Sequence, residues 1–322
     1  MSRRWFVAVA SSLFSLPLAV MAQQVAKIRR IGWLWNQTPF TRFRQHTMYL
    51  RALGWTEGQN LVIEQRYASG NADLLLALAE ELVQLKVEII VAEGTIAALA
   101  AKKATSAIPI VVARSGDPVG AGLVTSLARP GANVTGTSAI SPDLDLKRFQ
   151  VLHDFLPAAK RVGELAVPAN PVDRIRTRSG GLLAPLGMQL ILVEVAQASD
   201  LEDAVAEAVR RGAQALHISN EPLLSENFPQ ILHAAEKHSL PTLGDGRGFL
   251  EAGGLVSYGP DSDELDRQLE YFIDRILRGT KPSDLPIQQP RKFELGINLK
   301  AAKAIGITIP RSLLLLADKV VD

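Results

Sequence analysis

The chain has 322 residues, 47% of them hydrophobic and 21% charged, with 24 glycines and 18 prolines. That composition excludes collagen-like, disordered and coiled-coil chains and leaves room for about two ordinary globular domains. No cysteine occurs, which removes disulfide scaffolds, thiolate metal sites, iron–sulfur clusters and cysteine nucleophiles together. The formal charge of +2 belongs to the first few residues.

Residues 1–22 run from Met1-Ser2-Arg3-Arg4 through an apolar stretch containing Pro17 to Val20-Met21-Ala22. A basic start, an apolar run shorter than the roughly 20 residues that span a bilayer, and a small-residue end predict a signal peptide cleaved after Ala22. The order Ser2-Arg3-Arg4-Trp5-Phe6-Val7 also resembles a twin-arginine signal, so Sec and twin-arginine routes both stay open. Without Arg3 and Arg4 the chain carries 33 basic and 33 acidic residues, a formal charge of zero. Nucleic acid is therefore not an expected partner, because binding to phosphates needs a surplus of Lys and Arg. Gln23, not cysteine, would begin the mature chain. The expected product is a periplasmic protein with no lipid anchor and no membrane insertion after cleavage.

From residue 28 onward, short β-branched apolar runs alternate with longer amphipathic ones. The runs at 28–35, 61–67, 87–92, 108–113, 134–138, 161–167, 189–195, 213–219, 240–243 and 254–258 read as strands buried on both faces of a parallel sheet. The segments 71–85, 199–211 and 261–278 read as helices. This alternation specifies an α/β protein, either an eight-fold barrel or two open doubly wound domains. Internal repetition favours the pair. Gly32 and Gly163, Gly54 and Gly187, Asp73 and Asp200, and Pro109 and Pro241 recur in one order at offsets of 131, 133, 127 and 132.

Ligands of open α/β sheets lie beyond the carboxyl ends of the strands, so the strand-to-helix turns hold the candidate residues. In the first half these are Asn36, then Gly94 with Thr95 as an expected helix cap, then Ser115 and Asp117, with Asp117 expected to cap a helix opening on Pro118. In the second half they are Asn170, Asn220, Glu221 and Asp245. Thr95 and Asp117 would be caps in any α/β protein, and Gly94 a turn residue. The five histidines, His46, His153, His217, His233 and His238, show no metal-ligand spacing, and no GxSxG elbow occurs. No catalytic residue, metal or cofactor is expected.

Four stretches carry a resemblance: Ala52-Leu53-Gly54-Trp55-Thr56-Glu57-Gly58-Gln59-Asn60-Leu61; the run from Gly116-Asp117-Pro118-Val119-Gly120 through Leu127-Ala128-Arg129-Pro130-Gly131-Ala132-Asn133-Val134-Thr135-Gly136; Phe249-Leu250-Glu251-Ala252-Gly253-Gly254-Leu255-Val256-Ser257-Tyr258-Gly259-Pro260; and Lys292-Phe293-Glu294-Leu295-Gly296-Ile297-Asn298-Leu299-Lys300. Together they resemble a family of ABC-transporter substrate-binding proteins with the type I periplasmic binding fold. The resemblance implies two Rossmann-like lobes joined by a three-stranded hinge, the first formed by 27–140 plus 256–282 and the second by 141–255 plus 283–322. It implies a periplasmic component of an ABC importer that captures a small polar or amino-acid-like ligand as a monomer, with a permease of the inner membrane as partner and with relatives that bind aromatic amino acids. The family's cleft turns fall on Asn36, Gly94, Thr95, Ser115, Asp117, Ser138, Asn170, Asn220 and Asp245.

A zwitterion in such a cleft needs a partner for each charge. The ligand carboxylate is expected at the Thr95 hydroxyl and nearby amides, and its ammonium at Asp245 or Glu221. Arg114 and Glu93 stand where the family usually has small or uncharged residues, and Pro168 where a residue such as Asn is expected. Arg114 points either to an extra acidic group on the ligand or to a surface salt bridge. A hydrolase or isomerase on the same scaffold, or a sensor docking on a receptor, are the alternatives.

Overall fold

The computed structural model describes residues 28–36, 42–139, 142–168, 183–219 and 221–322. Residues 1–22, expected from the sequence to be a signal peptide, lie outside them, as do Asn170 and Asn220. The first half runs β1 (Arg29–Trp35), α1 (Arg42–Ala52), β2 (Leu61–Tyr67), α2 (Leu75–Gln84), β3 (Ile89–Glu93), α3 (Gly94–Ala104), β4 (Ile110–Ser115) and β5 (Val134–Ser138). The second runs α4 (Pro142–Phe155), β6 (Arg161–Ala166), β7 (Gln189–Glu194), α5 (Leu201–Arg210), β8 (Ala215–His217), α6 (Pro222–Ser225), α7 (Phe228–Lys237), β9 (Thr242–Gly244), α8 (Arg247–Glu251) and β10 (Val256–Pro260). There follow α9 (Ser262–Leu277), β11 (Phe293–Asn298), α10 (Leu299–Ala304), α11 (Arg311–Leu316) and β12 (Lys319–Val321).

The strands form two separate sheets, ordered β2-β1-β3-β4-β5 and β12-β11-β10-β9-β8-β6-β7. Two open sheets exclude the barrel. The first sheet is parallel throughout. The second is parallel except where β10 meets β11. The segment β7-β6-β8-β9-β10 repeats the order of the first sheet, so the internal repeat is one doubly wound unit built twice. In each unit the order reverses between the first and third strands, the switch point where doubly wound sheets leave a crevice.

Burial follows from the apolar runs. Ile31, Trp33 and Trp35 of β1 join a core with α1 and α9, while Leu34 joins the opposite core with α2 and α3. In the second lobe α5 and α7 cover one face, and α4, α10 and α11 the other. The repeated glycines mark where helices press on the sheets. A Cβ on Gly32 would meet Leu82 of α2 at 2.9 Å, and one on Gly163 would meet Ala208 of α5 at 3.1 Å.

The expected lobe boundaries need two corrections. Residues 256–260 form β10, which pairs with β9 and β11 in the second sheet and not the first. Residues 283–288 stay with the first lobe, where Leu285 and Ile287 are buried in its cores and Gln288 pairs alongside β5. The chain therefore changes lobes after Ser138, after Pro260 and between Gln288 and Phe293. Lys292 of the last connection bonds Asp261 of the second at 3.0 Å.

Candidate ligand-binding cleft

All three connections leave or enter at the carboxyl edges of the sheets: β5 and β10 end there, and antiparallel β11 begins there. The connections thereby bring the carboxyl edges of both sheets to one junction, where the strand-end turns of the two lobes are found.

On the first lobe β1 delivers Asn36. Its strand end is braced by aromatic packing: Trp35 stacks on Trp33 at 5.2 Å between ring centroids, with Phe43 edge-on to Trp33. Glu93 ends β3, and Gly94, at φ +77°, turns the chain into α3. Thr95 is not the helix cap the sequence suggests, because Glu93, with extended backbone at φ −82° and ψ 114°, occupies that position. The Thr95 hydroxyl instead lies 3.1 Å from the Ser115 hydroxyl and accepts the Gly116 N–H at 3.2 Å. Ser138 donates to the Gly116 carbonyl at 3.2 Å. One hydroxyl cluster thus ties the ends of β3, β4 and β5 together.

Asp117 also departs from expectation. Its carboxylate accepts the Gly120 N–H at 2.8 Å and caps a single turn, not a helix. The start signal is present, but Gly122, at φ +72°, turns the chain out of the helical path.

On the second lobe Ser219, Glu221 and Asp245 stand at the ends of β8 and β9, all buried. The Glu221 carboxylate accepts the Leu223 N–H at 2.7 Å. Arg148 of α4, fully buried, donates to the Tyr258 carbonyl at 3.0 Å and to Asp245 at 3.1 Å. Asp245 is therefore already charge-paired, through Oδ2 alone. The sequence gives no warning of this arginine, since Arg148 follows Lys147 in a polar stretch and its carboxylate lies 97 positions away.

Arg114 has the same arrangement in the first lobe. Its guanidinium bonds Glu93 at 3.2 Å and also Asp266 of α9. Arg114 does form ion pairs, but with its side chain only 11% exposed they are not the surface salt bridge expected from the sequence. Next to this trio, Glu270 of α9 meets His46 of α1 at 2.5 Å. Burial pushes the Glu270 carboxyl well above the usual carboxylate range, and Glu93 adds to the rise while Arg114 opposes it.

Several polar atoms at these edges have no hydrogen-bond partner: Asn36 Oδ1 and Glu93 Oε2 on the first lobe, Ser219 Oγ and Asp245 Oδ1 on the second. Asn36, Ser219 and Asp245 are 6, 8 and 9% exposed. Buried polar atoms are ordinarily satisfied, so unmet ones at strand-end turns, where doubly wound sheets bind ligands, are candidate ligand contacts. Among the described residues no group of three or more His, Asp or Glu side chains could hold a metal ion.

Residues 47–321 match the family described as ABC transporter substrate binding protein. The chain belongs to that family. This substrate-binding protein is 27% identical over 264 residues to a tyrosine-binding protein of Clostridioides difficile strain R20291, a match covering 80% of this chain and 75% of that one. The structure of an ABC domain from Streptococcus pneumonia in complex with L-Trp superposes with a TM-score of 0.83 at 23% identity, over 91% of this chain and 99% of the other. The ligand-free, open structure of a substrate binding protein with adhesive properties from Clostridium difficile gives a TM-score of 0.64 at 24% identity, over 91% and 99%. The family is one of non-enzymatic, extracytoplasmic binding proteins, which removes the hydrolase and isomerase alternatives.

Proposed function

We propose that this substrate-binding protein captures an aromatic amino acid between its lobes and delivers it, as a monomer in the periplasm, to an ABC permease of the inner membrane. The observation that carries the proposal is the set of buried, unpartnered polar atoms on both carboxyl edges, Asn36 Oδ1, Ser219 Oγ and Asp245 Oδ1. They need a small polar ligand that touches both lobes. The tyrosine- and tryptophan-binding proteins to which the chain is similar support the aromatic class. In this scheme the ligand carboxylate meets the Thr95 and Ser115 hydroxyls, with Asn36, Gly94, Asp117 and Ser138 shaping that wall. The free oxygen of Asp245 accepts an ammonium N–H, with Glu221 at a neighbouring strand end of the same lobe; Asn170 and Asn220 are proposed as further ligand contacts.

A ligand that contacts both lobes favours the closed state in proportion to its differential affinity for it. Export follows from residues 1–22, with cleavage after Ala22. The intact mass of the periplasmic protein checks that step, and a mature chain beginning elsewhere than Gln23 would refute the cleavage site.

Thermal melting of the exported form against all amino acids, aromatic acids and organic acids tests the ligand. A ligand present at 100 times its dissociation constant adds about 2.7 kcal/mol. L-Tyrosine and L-tryptophan are expected to raise the melting temperature most. A rise confined to another ligand class would overturn the aromatic assignment.

A further inference from the structure

Resting on the cleft as an amino-acid site, we propose that Glu93 is the first lobe's acceptor for the ligand ammonium, and the residue that makes this protein select amines over the corresponding acids. Each lobe presents at its carboxyl edge a carboxylate with one oxygen held by an arginine, fully buried in the second lobe and partly buried in the first, and the other oxygen without a partner. In the second lobe Arg148 holds Asp245 Oδ2 and leaves Oδ1; in the first, Arg114 holds Glu93 Oε1 and leaves Oε2. The sequence marks Asp245 as an ammonium acceptor and Glu93 and Arg114 only as unusual charges, without a role for Glu93.

The placement of Glu93 suits the role. It is the last residue of β3 and directly precedes Gly94 and Thr95, whose hydroxyl belongs to the cluster that would meet the ligand carboxylate. The β1–β3 register ends on the pair Leu34 and Ala92, so Glu93 and Asn36 both follow at the carboxyl ends of neighbouring strands. An α-amino acid carries its ammonium and carboxylate on one carbon, so Thr95 and Glu93 can engage both groups from a single turn.

Charge balance supplies the selectivity. Arg114 stands between two carboxylates, Glu93 and Asp266, so the trio carries one negative charge more than it neutralises. A helix N-terminus by itself favours anions. Here the Glu93 carboxylate at the cap position of α3 opposes that preference, and an acid without an amine meets an unmatched negative charge. A site with a buried acceptor rejects ligands that lack the donor, because the acceptor is left unpaired.

The test is calorimetric titration of the exported form and of Glu93→Gln with two probe sets: L-tyrosine, tyramine and 3-(4-hydroxyphenyl)propionate, and L-tryptophan, tryptamine and indole-3-propionate. The wild type should bind each amine more tightly than the matching acid. Glu93→Gln should lose at least about tenfold for the amino acids and amines while keeping or gaining affinity for the acids. A folded Glu93→Gln protein that binds all probes as before, or weakens equally for all, overturns the proposal. Should the variant fail to fold, the wild-type order decides, and acids binding more tightly than amines overturn it. A wild type that binds none of the six probes overturns the aromatic amino-acid assignment together with this one, whereas retained amino-acid binding with unaltered selectivity overturns this one alone.

Discussion

Thr95 serves two turns with one hydroxyl, pairing with Ser115 and accepting the Gly116 N–H. Thr95→Val keeps the shape and removes both bonds. Its expected stability loss is about 1 kcal/mol, read from the urea midpoint, and its affinity for L-tyrosine or L-tryptophan should fall by about tenfold in calorimetry. A variant with unchanged affinity would remove Thr95 from the site. Glu226, between α6 and α7, has its carboxyl pushed by burial from 4.5 to about 7. A raised acid stays protonated in the folded protein after its unfolded counterpart has ionised. Its contribution is therefore complete below pH 4.5 and is lost as pH rises through about 7. Glu226→Gln should melt higher than the wild type at pH 8 and close to it at pH 4, and the opposite order would show that the carboxylate is stabilising. At this scale the sequence reveals which residues occupy strand-end turns, but not what they touch. Asn36, Thr95 and Ser115 are legible because strand ends are. Arg148 and Asp266 are not, since each meets its partner across about a third of the chain or more, and only folding brings them together.

Elements are more legible than contacts, because period and turn chemistry are local. The ten strands read from the apolar runs all form. β11 and β12 are missing from that reading; β11 lies within a stretch singled out only for its resemblance, and β12 is three residues on a sheet edge. The single turn after Asp117 shows the limit of start signals, since Gly122 acts five residues beyond the cap. Gly136 of β5 has a stronger structural reason. It adopts φ +137°, and a Cβ there would stand 2.2 Å from the Val112 carbonyl oxygen of β4, beside the register shift between Val112 and Ser115. Gly136→Ala should destabilise the protein by about 3 kcal/mol and lower its melting temperature. A melting temperature within one degree of wild type would show that β4 yields easily at that point.

For the whole molecule, the repeat at an offset near 131 predicts two similar lobes, and the shared strand order makes the likeness topological as well. The boundaries were harder to place, because the returning segments have no composition of their own: 256–260 and 283–288 join the sheet whose unpaired edge lies beside them. Two lobes on three crossings should close as rigid bodies. Small-angle scattering is expected to show a smaller radius of gyration when L-tyrosine or L-tryptophan is added, and an unchanged radius with demonstrated binding would show that the lobes are already shut without ligand.

The crossings also set an order of assembly during synthesis. Helix 262–277 and the segment 283–288 complete the first lobe: Leu269, Phe272 and Ile273 fill its core, and the Thr135 hydroxyl waits for the Leu285 carbonyl 150 residues downstream. The N-terminal lobe thus cannot finish before nearly the whole second lobe has left the ribosome. Contacts so distant in sequence slow folding, and a nascent chain held back in this way stays extended longer than its compact two-lobed end state suggests.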